Sequence, residues 1–253
     1  MIDVVTHAAL ALVLTTGAAR PPVALVAAPA HLTLEGSARA FVRVTNSGTK
    51  AVVVEVTRAG FALSQRGRPL IVRRAGARSA APWLTFRPGR FTLAPGAIAS
   101  LLVTSKLPRR AEPGDHDALV LLSTRRLVKA RVAVRLRMGV VVVVRAPGKV
   151  VRRLELRALR VARRGRRRAL ELVVANRGNV TETLVRARAV VSLARSGRHV
   201  GTLVARTREV RPRTSAIVDF PLRPSPHGWM RARIVVPAND GRARLLRTYR
   251  IRL

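Results

Sequence analysis

The stretch WLTFRPGRFTLAPG, Trp83 to Gly96, sets two Pro-Gly pairs seven residues apart around an alternating Phe-Thr-Leu. A turn dipeptide on each side of a short alternating run is the pattern of a strand held between two tight turns. The same grammar runs outward in both directions. Toward the N-terminus, alternating segments at Val23–Ala27, Ala38–Thr45 and Ala51–Val56 predict strands; toward the C-terminus, Ser100–Lys106, Ala118–Ser123, Lys129–Arg137 and Gly139–Arg145 do the same. The valine run in the last of these predicts a strand covered on both faces. Turn residues punctuate the series at Asn46-Ser-Gly48, Arg66-Gly-Arg-Pro69, Pro88-Gly89, Pro95-Gly96 and Pro113-Gly-Asp115. Almost no segment carries apolar residues at helical spacing over three turns.

The pattern around Pro88 occurs twice. PAHLTLEGSARAFVRV (Pro29 to Val44) and PGRFTLAPGAIASLLV (Pro88 to Val103) share proline, an apolar-Thr-Leu triplet, glycine and an alternating strand, so two edges of one sandwich are expected to be built alike. Ala146-Pro-Gly148 breaks the valine run and is read as a linker. Beyond it the strand grammar restarts: Leu154–Val161, a basic tip at Arg163–Arg168, Ala169–Ala175, the turn Asn176-Arg-Gly178, Thr183–Leu193, Val200–Arg206, Ser215–Leu222, Met230–Val236 and Leu245–Arg252. The halves echo each other, FVRVTNSGTKAVVVEV against LELVVANRGNVTETLVRARAVV, each a strand, an Asn-x-Gly turn and a strand. Strands every 8–12 residues with turn signals between them predict an all-β chain of two tandem Ig-like sandwiches. The expected units are a signal-like segment at residues 1–19, a first sandwich at 20–147 and a second at 148–253.

Composition sets the chemistry. The 253 residues are 48% hydrophobic but only 3% aromatic, so the cores must be built from Val, Leu, Ala and Ile. Net charge is +37, and all but four of the 49 basic residues are arginine. That skew has two sources open to it, selection for an anionic partner or a GC-rich genome, and the even spread of arginine along the chain favours the second. With no cysteine there is no disulfide and no thiolate chemistry. The apolar segment Val4 to Ala19, ending in small residues before Arg20-Pro21-Pro22, resembles a secretory signal peptide without its usual basic start, and predicts export.

In order, the Asn46-x-Gly48 turn, Trp83-Leu84, PGRFTLAPG, AEPGDHDALVLL (Ala111 to Leu122) and a long strand into GVVVVVRAPG resemble the peptidoglycan-binding Ig-like domain of WxL-type bacterial surface proteins, over about residues 23–148. More distantly they resemble the first domain of PapD-like periplasmic chaperones. The WxL resemblance implies an extracellular, non-enzymatic module associated with the cell wall. The chain departs from those surface proteins in having no hydrophobic helix or sorting signal after residue 150, and no position matches the paired basic residues with which PapD-like chaperones hold a partner's C-terminus.

Catalytic motifs are absent: there is no G-x-S-x-G, no H-E-x-x-H and no Walker loop, and the 12 acidic residues read as scattered through strands and turns. No catalytic residue, cofactor or metal is expected. Asp115-His116-Asp117 has metal-type side chains, but only Asp115 and Asp117 could share a face, and Asp115 is read as a turn cap. Trp83 and Trp229 are expected in the cores, with stacking on a sugar as the alternative for either, Trp83 foremost. The densest charge, Arg163, Arg164, Arg166, Arg167 and Arg168, is either a solvated hairpin tip or a contact for anionic polymer. The function expected on these grounds is a secreted, envelope-associated protein binding cell wall polymer or a surface protein. A PapD-like chaperone is the alternative, and a basic nucleic-acid binder, lacking interleaved aromatics, comes last.

Overall fold

A computed structural model of the chain describes residues 21–73, 76, 78–124, 136–164, 167–184, 190–222, 227–238 and 243–253. The signal-like segment therefore lies outside the described residues. The chain folds as two Ig-like β-sandwiches in tandem, each around a separate core, with no α-helix among the described residues.

The first sandwich packs a four-stranded sheet, in the order β1 (Leu25–Ala28), β3 (Arg39–Asn46), β8 (Ile98–Ser105), β6 (Leu84–Arg87), against a larger one. The larger runs β2 (His31–Glu35), β10 (Arg137–Ala146), β9 (Gly114–Thr124), β4 (Val52–Leu63), β5 (Pro69–Val72), with β7 (Arg90–Leu93) also on β4. The opening motif is thereby explained. Pro88-Gly89 carries the chain from β6 in one sheet to β7 in the other, and Pro29-Ala30 does the same between β1 and β2. Both prolines follow cis peptide bonds. After each crossing, the Thr-Leu strand buries alternate leucines, Leu32 and Leu34 in β2 and Leu93 in β7, at opposite ends of the larger sheet. The two edges are made alike because they solve one problem, moving a strand between sheets without leaving its apolar face in water.

Strand β9 is central and buried along almost its whole length, and Val142, Val143 and Val144 of β10 are buried on both faces, as the valine run predicts. The core is Val, Leu and Ala, with Leu84, Leu101 and Leu122 among its largest fully buried side chains.

The second sandwich sets β11 (Leu154–Arg164), β12 (Arg167–Asn176) and β17 (Ser215–Pro221) against β15 (Arg198–Val204), β14 (Val190–Arg195), β18 (Trp229–Ala238) and β19 (Ala243–Arg252), with a small pair β13 (Glu182–Leu184) and β16 (Arg208–Val210). Its core centres on Phe220, Leu170, Leu172, Leu193 and Ile234.

Several expectations change. The single strand expected at Thr183–Leu193 is β13 and β14, in different sheets. Strands β5 and β16 are too short to show a period and were not anticipated. Of the strand expected at Lys129–Arg137, only Leu136 and Arg137 are among the described residues. Trp229, expected in the core, is 54% exposed at the first residue of β18.

Candidate functional site

Among the described residues, strand β10 has one edge that is covered only in part. Along Arg137–Ala146 it pairs with β9, while β2 lies parallel on its other side only from Val141 onward. The backbone of Leu136 accepts from Thr124 N–H on the β9 side, and the N–H of Val141 donates to Ala30 O on the β2 side. Alternation therefore turns the amides of Arg137 and Gly139 to the side where no described strand pairs with them. An unpaired row of N–H and C=O groups is a template for another strand.

The two sandwiches meet beside this sheet in a polar junction. The turn Ser64–Arg68, closing β4 onto β5, reaches the second sandwich: Ile217 N–H donates to Gln65 O at 2.7 Å, Arg208 Nη1 donates to Arg66 O, and Arg66 pairs with Glu171 at 2.8 Å. At the start of β9, Asp115 N–H donates to Asn179 O at 2.8 Å. A side chain at Gly114 would place its Cβ 2.1 Å from that same oxygen, so only glycine lets the backbones approach.

Asp115 takes a two-pronged bond from Arg145 of β10 at 2.6 and 3.2 Å, and its second oxygen accepts from Thr181 N–H at 2.8 Å. Burial opposes its ionisation, but these donors outweigh burial and hold its carboxyl below the usual value. Asp117 meets Arg211 at 2.7 Å, and Arg211, almost fully buried, also pairs with Glu209 at 3.0 Å and covers the Phe61 ring. Here burial dominates: it pushes Asp117 up to about 6 against the pull of Arg211, with the charges of Asp115 and Glu209 adding to the rise.

The acids are therefore not scattered. Glu112 bonds Arg213, Asp115 bonds Thr181, Asp117 bonds Arg211, and Glu171 and Asp219 both face Arg66, so five of the 12 acids bridge the junction. Asp115 is a strand residue tying β9, β10 and the second sandwich together, not a turn cap. Sequence reading missed this site, and the usable signal was scarcity: in a chain of net charge +37, each acid has many arginines to choose from.

Among the described residues no cluster of three metal-type ligands forms. Trp83 lies in a short 3₁₀ turn, Ala81–Trp83, half-buried against the first core, its ring centroid 4.4 Å from that of His116. His116 is itself buried, its ring nitrogens against the carbonyl oxygens of Arg78 and Glu112. At the β11–β12 hairpin, Arg163 is exposed and faces Arg168 across the ladder, as Arg164 faces Arg167 in backbone register. Arg166 and the side chains of Arg164 and Arg167 lie outside the described residues.

Two Ig-like sandwiches locked by such a junction define a class of architecture, and known folds can be set beside it. No protein-family model matches the chain, and no curated protein does either. Among solved structures, the class 5 fimbriae chaperone CfaA is similar with a TM-score of 0.52 and 13% identity, covering 91% of this chain and 100% of that one. A chain from a chaperone–tip adhesin complex of CFA/I fimbriae biogenesis gives the same TM-score and identity over 89% of this chain and 98% of that one. The chain thus shares, at a distance, the two-sandwich fold of PapD-like fimbrial chaperones. The expected role as a cell-wall-binding module of the WxL type is corrected by this finding: the end-to-end likeness, including the second sandwich that the WxL pattern did not cover, is to chaperones.

Proposed function

We propose that the chain is an exported, non-catalytic chaperone of the PapD-like kind, which binds a surface subunit by adding a strand to it. Residues 1–19 would direct export, and 20–147 and 148–253 would be the two folding units. The observation that carries the reading is the edge of β10 at Arg137 and Gly139, which no described strand covers. In the sequence just before it, apolar residues fall at every second position from Val128 to Met138, the pattern a β-augmenting segment needs, since main-chain bonds give affinity and alternate side chains fill pockets. The fold likeness to CfaA supports the class, and the chaperone–tip adhesin complex supports a fimbrial subunit as the kind of partner.

Proline tests this directly. Arg137→Pro removes an N–H from the open edge while leaving the even-numbered amides that bond β9, and an edge position tolerates proline. Co-expressed with the exported subunits of its own host, the native chain is expected to co-purify with one of them at 1:1, and Arg137→Pro to lose it without loss of fold. Undiminished co-purification would refute strand addition at this edge.

A further inference from the structure

The four-stranded sheet of the second sandwich, β15-β14-β18-β19, has one face on the core and one in water. None of the residues in these four strands is acidic. On the outward face, Arg231 stands directly opposite Arg250, with Arg233 and Arg252 in the neighbouring rows, and all four are exposed. Like charges directly across a ladder destabilise a sheet, and here no acid on the sheet offsets them, so the face is built for an anionic occupant from outside.

The apolar residues on the same face narrow the choice. Trp229 is 54% exposed at one end, with the Arg250 guanidinium 4.8 Å above its ring. At the other end Leu246 is 55% exposed, in a row that continues through Val235 and Val190 to Val204. A four-stranded face with arginines between a tryptophan and an aliphatic row fits a lipid interface, where phosphates meet the cations and Trp and Leu enter the headgroup boundary. A single-stranded nucleic acid asks instead for a basic groove with successive stacking aromatics, and Trp229 is the one outward aromatic here.

We propose that this face docks the protein on an anionic phospholipid surface. The inference is independent of the strand-addition reading. Its test uses the full chain and vesicles of phosphatidylcholine with or without phosphatidylglycerol, read by co-sedimentation and by Trp229 emission in a Trp83→Phe background. Because net charge alone attracts any polyanion, the comparison is between two variants of equal charge. One carries Ser at Arg231, Arg233, Arg250 and Arg252; the other carries Ser at Arg39, Arg43, Arg87 and Arg90, exposed on the first sandwich.

The expected result is binding only with phosphatidylglycerol, a blue shift of Trp229, and a loss of roughly 100-fold or more for the face variant against a few-fold for the control. Leu246→Ser with Val204→Ser should weaken binding without changing charge, which covers the case in which the arginine variant fails to fold. Equal losses in both charge variants would overturn the proposal in favour of net charge alone. So would a face variant that loses a single-stranded oligonucleotide but keeps the vesicles.

Discussion

Asn46 and Asn176 occupy equivalent turns in the two sandwiches and make the same bonds. Each is fully buried; Asn46 donates to Lys50 O and Leu93 O, Asn176 to Val180 O and Val210 O, and each side-chain oxygen accepts from the glycine two residues on. Those glycines press on the segment that leads into each sandwich: a Cβ at Gly48 would sit 2.8 Å from Pro22 O, and one at Gly178 would sit 2.2 Å from Val151 O. Because the obstacle is backbone, Gly178→Ala should cost about 1–3 kcal/mol or more, as overpacking does; urea unfolding of the variant checks it. Asp117 makes a second residue-scale prediction. Its proton is held more tightly in the folded chain than in the unfolded one, so its burial costs nothing below about pH 4 and progressively more up to about pH 6, reaching about 3 kcal/mol. Asp115, shifted the other way, contributes stability that is lost as pH falls below the usual carboxylate range. The decline in unfolding free energy between pH 4 and 6 should flatten in Asp117→Asn, and an unchanged slope would contradict the assignment.

Among the elements, the β4–β5 hairpin links the sandwiches through few residues. Glu171 is buried and held by Arg66 from the hairpin and by Arg160 from β11. Removing Arg66 takes away one of the cations that hold that buried carboxylate, so Arg66→Ala should destabilise the second sandwich by about 1–3 kcal/mol. The same variant should raise amide exchange at Ile217, whose N–H bonds the hairpin backbone. The strands that deliver these contacts differ in how readable they are. The long alternating runs of β3, β8, β12 and β18 announce themselves by period, and β7 by its bracketing turns. Strands β5 and β16, of four and three residues, are shorter than the window in which a period can be recognised, and they form because longer neighbours offer them an edge. The junction was illegible for another reason. Its acids and arginines lie 94 to 153 positions apart in sequence, from Asp117 with Arg211 to Arg66 with Asp219, and only the fold brings them together. Trp229 was misread because an apolar neighbour in sequence does not reveal which face of a strand a side chain takes.

In the whole molecule, charge is divided by role. Five of the 12 acids bridge the junction, while the outward arginines of the second sandwich face solvent with no acid on their sheet. Screening acts on the two sets differently, since buried pairs are shielded from salt and exposed charges are not. Raising ionic strength should therefore raise the unfolding midpoint, because repulsion among the exposed arginines of this +37 chain is screened while the buried pairs hold, and should release the protein from anionic vesicles. The proposed function rests on the edge of β10, and amide exchange on the purified complex tests it most directly. With the co-purified subunit bound, the amides of Arg137 and Gly139 should become protected, while those of Met138 and Val140, already bonded to β9, change little. A bound subunit that leaves Arg137 and Gly139 exchanging as in the free protein would contradict the account.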